Sequence, residues 1–195
     1  MNQAFEKKHN TRERTARARN ESQNPALPVL SRSEHTNNVG PYQILLDYSF
    51  MALSRRAHTS AEMEKKLARR IKLKGIGSQQ DQRRVIKRLK ELSYLDDNAF
   101  AKSYIISKTA TNPKGRYLIT RELRLKGIPN DIINKTWEHL KIDEEDLAKK
   151  LMEKKKRTID RVPVDKRREK ILYYLSSRGF HPDIIYDLLA KNHQS

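Results

Sequence analysis

The sequence predicts an all-α protein, a tandem array of three three-helix (helix-turn-helix-like) repeats that is elongated and curved. Three glycines, Gly75, Gly127 and Gly179, lie 52 residues apart, each directly after a cation and four and eight positions after apolar residues. Apolar residues at this spacing share one helix face, a last-turn cation suits the helix dipole, and glycine ends a helix in the left-handed conformation. No segment of strand length alternates apolar and polar residues. A helix ending that recurs in this way indicates small helical units that stack on their neighbours.

The first repeat is predicted at residues 41–97. Its second helix begins at a capping box, Thr59-x-x-Glu62, in which each side chain accepts a hydrogen bond from the backbone of the other residue. A longer connection, from Gly75 to Val85, is predicted before the third helix. The apolar residues that mark the three helices are Ile44, Tyr48, Met51 and Ala52; Met63, Leu67 and Ile71; and Val85, Ile86, Leu89 and Leu92.

The second repeat is predicted at residues 98–141 and the third at residues 142–195. Their last helices begin with near-copies of one run, Pro129–Ile133 and His181–Ile185, which place proline around the helix start and aspartate in the first turn. The apolar residues that mark these helices are Phe100, Tyr104 and Ile105; Ile119 and Leu123; Ile132, Ile133 and Trp137; Leu147, Leu151 and Met152; Ile171 and Leu175; and Ile184, Ile185 and Leu188.

Residues 1–40 are predicted to form a disordered basic N-terminal tail. Polar residues dominate this segment and its apolar residues follow no period, so little surface is available to offset the entropy of ordering. Arg12, Arg14, Arg17 and Arg19 suggest a weak nucleic-acid-binding arm, but a solvated tail accounts for them better.

The charge balance predicts a polyanionic partner. Lysine and arginine number 42 against 24 aspartates and glutamates, which gives a formal net charge of +18 and an isoelectric point near 10.1. Nucleic acid or a nucleoprotein fits this charge better than an acidic membrane surface. The chain has no cysteine and no apolar run of the length of a signal or membrane-spanning segment. We therefore expect a soluble, cytoplasmic monomer with no membrane partner.

The middle helices of the first two repeats are predicted to carry a binding face. Lys65, Arg69 and Lys72 lie opposite the apolar face of their helix, and a shift of 52 residues places Arg121 and Arg124 at the positions of the last two. A face that is merely solvated normally mixes both signs of charge, whereas acidic residues are few on these helices. In the third repeat the corresponding positions hold Tyr173 and Ser176.

Further cations are predicted to contribute to binding. Lys114 and Arg116 lie at a helix start, where backbone N–H groups favour a phosphate or a carboxylate, although a flexible loop explains them equally well. Lys126 precedes the second glycine of the repeat. Two basic runs flank the Val162-Pro163 break and are predicted to form a mobile basic loop; their members in the predicted binding set are Lys154, Lys155, Lys156, Arg157, Arg167 and Arg168.

Signatures of catalysis are weak, and we expect a protein that is not an enzyme and uses no cofactor or metal. The acidic runs Asp96–Asp97 and Asp143–Asp146 precede helices, where capping explains them better than metal binding does. The histidines show no paired ligand spacing, and the sequence contains no phosphate-binding loop of the Walker type and no glycine-rich dinucleotide motif.

Three segments in order resemble a known family. Ala52–Arg56 with Thr59–Leu67 is similar to the opening unit of the bacterial RecX regulators, Tyr94–Tyr104 resembles their most recognisable run, and Gly115–Ile128 resembles the helix of their second unit. The resemblance extends from Tyr42 to about Asn192. It implies three three-helix repeats, in agreement with the 52-residue period.

The same resemblance implies a function. RecX proteins lie in the groove of the filament that the RecA recombinase forms on DNA, contact several protomers, and inhibit strand exchange and ATP hydrolysis. The implied partners are thus the RecA filament, single-stranded DNA and, as a second expectation, duplex DNA. The alternative is a helix-turn-helix protein that binds DNA directly, as a transcriptional or nucleoid protein. The acidic residues Asp81, Asp131 and Asp183 at the starts of the third helices disfavour that alternative, because they repel phosphate.

Overall fold

The computed structural model describes residues 40–110 and 112–191, which form nine α-helices and no strand. The all-α prediction is confirmed. The predicted tail, apart from Gly40, lies outside the described residues. The helices are α1 (Pro41–Leu53), α2 (Ser60–Lys74), α3 (Gln79–Glu91), α4 (Asp97–Ala110), α5 (Arg116–Leu125), α6 (Asn130–Leu140), α7 (Glu144–Ile159), α8 (Val164–Ser177) and α9 (Pro182–Lys191).

The described chain divides into two compact units. The first comprises residues 40–57 and Glu64–Leu95, and the second comprises His58–Met63 and residues 96–191. The opening turn of α2 is thus grouped with the second unit, and the rest of that helix with the first.

In the first unit, α1 packs on α3, and the side chains of Leu45, Leu67 and Leu89 are fully buried. The predicted inward side of α1 is partly wrong, because Met51 is 56% exposed. The buried stripe of α1 includes Ser49, whose Oγ donates to the Leu45 carbonyl over 2.8 Å. Because this hydrogen bond satisfies the hydroxyl, Ser49 can be buried. A pattern of apolar residues alone therefore does not identify the buried face of α1.

The connection after Gly75 is shorter than the predicted stretch up to Val85, because α3 begins at Gln79, which agrees with the expected position of Asp81 at a helix start. A capping box starts the helix: the Asp81 N–H donates to Ser78 Oγ over 3.1 Å, and the Ser78 N–H donates to Asp81 Oδ2 over 2.9 Å. The first turns of α3 are polar and largely exposed, so no apolar period marks them before Val85. The cap, and not the hydrophobic pattern, fixes this helix start.

The second unit contains two groups of three helices, α4–α6 and α7–α9, each with its own apolar core. Burial of the side chains in each core stabilises the group to which they belong. The core of α4–α6 consists of Ala101, Ile105, Ile119, Leu123, Ile128, Ile133 and Trp137. The core of α7–α9 consists of Ala148, Leu151, Ile171, Leu175, Phe180, Ile185, Leu188 and Leu189.

The predicted glycine endings are confirmed, since φ is +63° at Gly75, +82° at Gly127 and +80° at Gly179. At the last two, the following residue also donates its N–H back across the turn, from Ile128 to the Leu123 carbonyl and from Phe180 to the Leu175 carbonyl. The apolar side chains after these glycines are buried, which closes the base of each core.

Within the second unit, the start of one middle helix docks on the end of the next. The Gly115 N–H donates to the Arg178 carbonyl over 2.9 Å and the Tyr117 N–H to the Gly179 carbonyl over 3.2 Å, so the start of α5 covers the end of α8. A Cβ on Gly115 would lie 2.2 Å from the Gly179 oxygen, so a side chain at residue 115 would prevent this approach.

The opening turn of α2 contacts the end of α5 in a related way. Thr59 Oγ1 donates to the Lys126 carbonyl over 2.6 Å, and Lys126 precedes Arg178 by 52 residues. The predicted capping box is confirmed here, because Glu62 N–H donates to Thr59 Oγ1 over 3.0 Å and Thr59 N–H donates to Glu62 over 3.4 Å. Amides at a helix start thus meet, or lie beside, the carbonyls at the end of another helix, where their dipoles attract.

Candidate partner-binding surface

The middle helices α2, α5 and α8 each expose one stripe of four residues directly opposite their buried face. The positions follow the spacing i, i+4, i+7 and i+8, so they lie on one side of the helix. We call each set the outward stripe of its helix, and all twelve residues are exposed. The stripes are Lys65, Arg69, Lys72 and Leu73 on α2; Tyr117, Arg121, Arg124 and Leu125 on α5; and Glu169, Tyr173, Ser176 and Ser177 on α8.

The cations of the first two stripes are available to a partner. Within residues 40–110 and 112–191, the structure gives no ion pair or hydrogen bond to the side chains of Lys65, Arg69, Lys72 and Arg121. Arg124 Nε donates to Asn130 Oδ1 over 2.5 Å, a neutral acceptor that leaves the charge uncompensated. The predicted cations of α2 and α5 therefore reach solvent as unneutralised positive charge.

Two of the acidic residues on these helices, Glu62 and Glu122, are partly buried and paired with lysines. Lys126 Nζ lies 2.9 Å from Glu62 Oε1, and Lys114 forms a short ion pair with Glu122. Burial raises the pKa of Glu122, but hydrogen bonds from Lys114 and Tyr104 outweigh it, so this pKa lies below its usual value. Burial and the bond to Glu122 raise the pKa of Tyr104. The predicted binding residues Lys114 and Lys126 thus have a structural role inside the second unit.

The predicted anion site at the start of α5 is occupied by the protein itself. The Arg116 N–H donates to Glu144 Oε1 over 2.7 Å, and its neighbours donate to the end of α8. Of the two anions that the sequence left open here, a phosphate or a carboxylate, the structure shows a carboxylate of the chain itself, that of Glu144. The Arg116 side chain stays exposed, with its guanidinium 5.8 Å from the centre of the Trp137 ring.

The predicted mobile basic loop is wrong, because its cations lie on helices. Lys154, Lys155, Lys156 and Arg157 belong to the last turns of α7, while Arg167 and Arg168 belong to α8. Lysine and arginine favour helix, and a helix end favours cations, so the basic run extends α7 instead of ending it.

The connection between these two helices is short and is held by an arginine. Arg167 donates from Nε to the Val162 carbonyl and from Nη2 to the Asp160 carbonyl, each over 2.8 Å. Lys156, Arg167 and Arg168 are brought together along one groove of about 550 Å³ between α7, α8 and α9. The structure therefore gives Arg167 a role in the fold and leaves Lys156 and Arg168 exposed.

Large apolar residues also lie on the outward stripes, and of these only Tyr173 was placed there from the sequence. Leu73 is 68% exposed, Leu125 and Tyr117 are each 73% exposed, and Tyr173 is 72% exposed. The signal was present, because Leu73 and Leu125 are 52 residues apart and each is six positions from a core residue, Leu67 or Ile119, a spacing that places it off the buried face. The apolar residues used to mark the helices were those at core spacing, so Leu73 and Leu125 were left without a role.

The acidic runs act as helix caps, as predicted. Asp96 accepts from the N–H groups of Asn98 and Ala99, and Asp143 accepts from the Asp146 N–H. Asp97 accepts from the Ser60 N–H over 2.9 Å and so caps α2 from a distance. In the described ranges no three acidic or histidine side chains converge as metal ligands, and no helix has the length and apolar character to cross a membrane.

Comparison with known proteins gives one consistent result. The family model of the second three-helix domain of RecX matches residues 96–136, and that of the third three-helix domain matches residues 143–189. The regulatory protein RecX of Chlorobaculum tepidum is 36% identical over 135 residues, which are 69% of this chain and 79% of that protein. The RecX of Prosthecochloris aestuarii is 33% identical over 136 residues, 69% of this chain and 83% of that protein.

Solved structures agree in fold. The crystal structure of RecX from Lactobacillus salivarius is similar with a TM-score of 0.68 at 24% identity, and covers 80% of this chain and 98% of that one. A second crystal structure, of regulatory protein RecX, has a TM-score of 0.65 at 25% identity, and covers 77% of this chain and 73% of that one.

Proposed function

Because this chain belongs to the RecX family of regulatory proteins, we propose that it binds the filament of RecA on DNA and represses recombination and the coupled ATP hydrolysis. The observation that carries this proposal is the unneutralised positive charge on the outward stripes of α2 and α5. A filament of protein and DNA presents phosphates and carboxylates along its length, and it is the kind of polyanion that such charge attracts.

The proposed mechanism is binding without chemistry. The cations of the two stripes form charge-assisted hydrogen bonds with the filament, and arginine can hold two oxygens of one carboxylate or phosphate at once. A protein held along the filament in this way hinders the movements and exchanges that hydrolysis and strand exchange require. We propose that it acts as a monomer in the cytoplasm, where RecA works.

Titration of RecA ATP hydrolysis on single-stranded DNA tests the proposal. Added protein should lower the rate, and the effect should weaken steeply as salt is raised, because the contacts are ionic. A hydrolysis rate that stays constant up to a several-fold excess of this protein over RecA would contradict the regulator function.

The alternative of direct, sequence-selective DNA binding receives little support from the described helices. Each third helix has an aspartate in its first turn, at residues 81, 131 and 183, where a recognition helix would face phosphates and base edges. Co-sedimentation with RecA filaments, beside bare single-stranded and duplex DNA, separates the two functions. Binding to a specific duplex in the absence of RecA would favour the alternative.

A further inference from the structure

The outward stripes of α2 and α5 combine cations with large apolar side chains. Leu73 directly follows Lys72, and Leu125 directly follows Arg124, so each leucine has the same place beside a cation. Their exposures, 68% and 73%, are nearly equal. The two helices therefore present the same pair of side chains, one charged and one aliphatic, at the same position of the stripe.

Much of the exposed apolar surface lies on the outward stripes. Eight large hydrophobic residues are strongly exposed in the described part of the chain, and four of them, Leu73, Tyr117, Leu125 and Tyr173, lie on outward stripes. Single exposed apolar residues, such as Tyr173 on α8, are ordinary, but a leucine that recurs in register beside a cation on α2 and α5 marks an interaction surface.

The aliphatic members identify the chemistry of the partner. A phosphate backbone offers oxygens to Lys72 and Arg124 but gives no apolar surface to a leucine at the next position. Bases of single strands are held by aromatic rings, whereas the side chain that recurs on both stripes is an aliphatic leucine; α2 has no aromatic residue on its stripe, and the one on α5, Tyr117, stands where α2 has Lys65. A folded protein surface with carboxylates around an apolar recess satisfies both the cation and the leucine, as in the core and rim of protein interfaces.

We propose that the outward stripes of α2 and α5 bind protein, namely an acidic surface of the RecA subunit with an apolar recess for Leu73 or Leu125, and not the DNA of the filament. This inference rests on the proposed function and adds the part of the filament that the stripes recognise. The cations attract both nucleic acid and acidic protein surfaces, whereas the leucines favour binding to protein.

The test compares the double variant Leu73→Ser/Leu125→Ser with wild type on two probes. One probe is the RecA filament on single-stranded DNA with a non-hydrolysable ATP analogue, and the other is the same DNA without RecA. If both leucines become buried in the complex, their replacement should weaken filament binding by roughly tenfold or more. Affinity for bare DNA should stay within about twofold, because no charge is removed. Met51→Ser, an exposed apolar residue outside the stripes, is the matched control and should leave both affinities unchanged.

The outcomes separate this inference from the function on which it rests. Wild type that fails to bind the filament overturns the proposed function and the inference with it. Wild type that binds, together with a leucine variant that binds equally well, overturns the inference alone. A leucine variant that loses affinity for bare DNA to the same degree also overturns it, because the leucines would then contact nucleic acid. Helical circular dichroism equal to wild type shows that each variant is folded.

Discussion

Helices α5 and α8 occupy corresponding places in the two helix groups of the second unit, and a shift of 52 residues aligns them position by position. They bury matching residues, Ile119 with Ile171 and Leu123 with Leu175, and both end at a left-handed glycine. Their outward stripes share nothing comparable: where α5 has Arg121 and Arg124, α8 has Tyr173 and Ser176. The inner face and the ending of the helix specify the repeat, whereas the outer face is free to differ and can carry function.

The largest effect is expected where the shared ending is broken. Gly127→Val places a β-branched residue at φ +82°, and its Cβ would lie 2.3 Å from that of Ala61. Left-handed strain and overpacking together should lower the free energy of unfolding by roughly 2–4 kcal/mol. Urea denaturation followed by circular dichroism measures this loss.

Gly75→Val provides the control for this prediction. Gly75 is also left-handed, at φ +63°, but a Cβ there meets nothing within 4 Å. The control should therefore show only the strain, about 1–2 kcal/mol. Equal losses in both variants would mean that the close approach to Ala61 contributes nothing, and unchanged unfolding in both would refute the role of the glycines.

A smaller effect, on binding and not on folding, is expected where the two stripes differ. Arg121→Ala/Arg124→Ala should weaken filament binding by roughly 1–3 kcal/mol through lost charge-assisted bonds. The unfolding midpoint should change little, because both side chains are exposed. The inhibition of RecA ATP hydrolysis by wild type and variant measures the effect.

The corresponding pair on α8 is the matched control. Tyr173→Ala/Ser176→Ala removes exposed side chains from the same two positions but no charge. Inhibition by this variant should equal that of wild type. If the α5 variant also inhibits as well as wild type, the contacts lie elsewhere, and the cations of α7 and α8, Lys154 to Arg168, become the better candidates.

A further difference between the helices predicts a modest dependence on pH. Glu122 on α5 is bonded to Lys114 and Tyr104, whereas the corresponding residue on α8 is Tyr174. The folded pKa of Glu122 lies below its usual value, so its ionised form stabilises the fold above the unfolded pKa, and that contribution disappears as pH falls through the folded pKa.

The variant Glu122→Gln tests this linkage. Wild type should be more stable than the variant at about pH 7, and the gap should narrow by about pH 3, below the ordinary glutamate pKa. Urea midpoints at the two pH values measure the gap. A gap of the same size at both would show that Glu122 contributes through its shape and not its charge.

The smallest effect is expected from deleting residues 1–39, which precede both helices compared above. Their sequence has no apolar period, so we expect them to be dispensable for the fold and for filament binding. The truncated protein should keep its melting temperature within a few degrees, since only losses of about 1 kcal/mol or more shift it further. A large fall in melting temperature would show that this segment packs on the helices.

Local signals in the sequence predicted what depends on neighbouring residues. The glycine endings, the Thr59–Glu62 capping box and the inward residues of α5 and α8 each rest on contacts within one or two turns, and all are confirmed. The predictions were incomplete where a distant partner decides. Glu144 fills the helix start near Arg116, 28 residues away, and no local pattern contains that information.

The same distinction applies to the candidate surface. The sequence correctly predicted that Arg69 and Arg121 are exposed, because helical spacing alone determines which side of a helix faces away from the core. It did not show that Lys126 is held by Glu62, since this pair joins residues 64 positions apart. It also assigned no role to Leu73 and Leu125, because an apolar residue outside the core spacing does not by itself indicate a binding surface.

Because the start of α5 docks on the end of α8, hydrogen exchange at α5 depends on whether α8 is intact. The amide protons of Gly115 and Tyr117 belong to the group α4–α6, yet their acceptors are the carbonyls of Arg178 and Gly179 at the end of α8, in the group α7–α9. We expect those protons to exchange with solvent whenever the end of α8 opens, even if α4–α6 stays intact. Two amides in the middle of the chain thus measure how often the end of α8 opens.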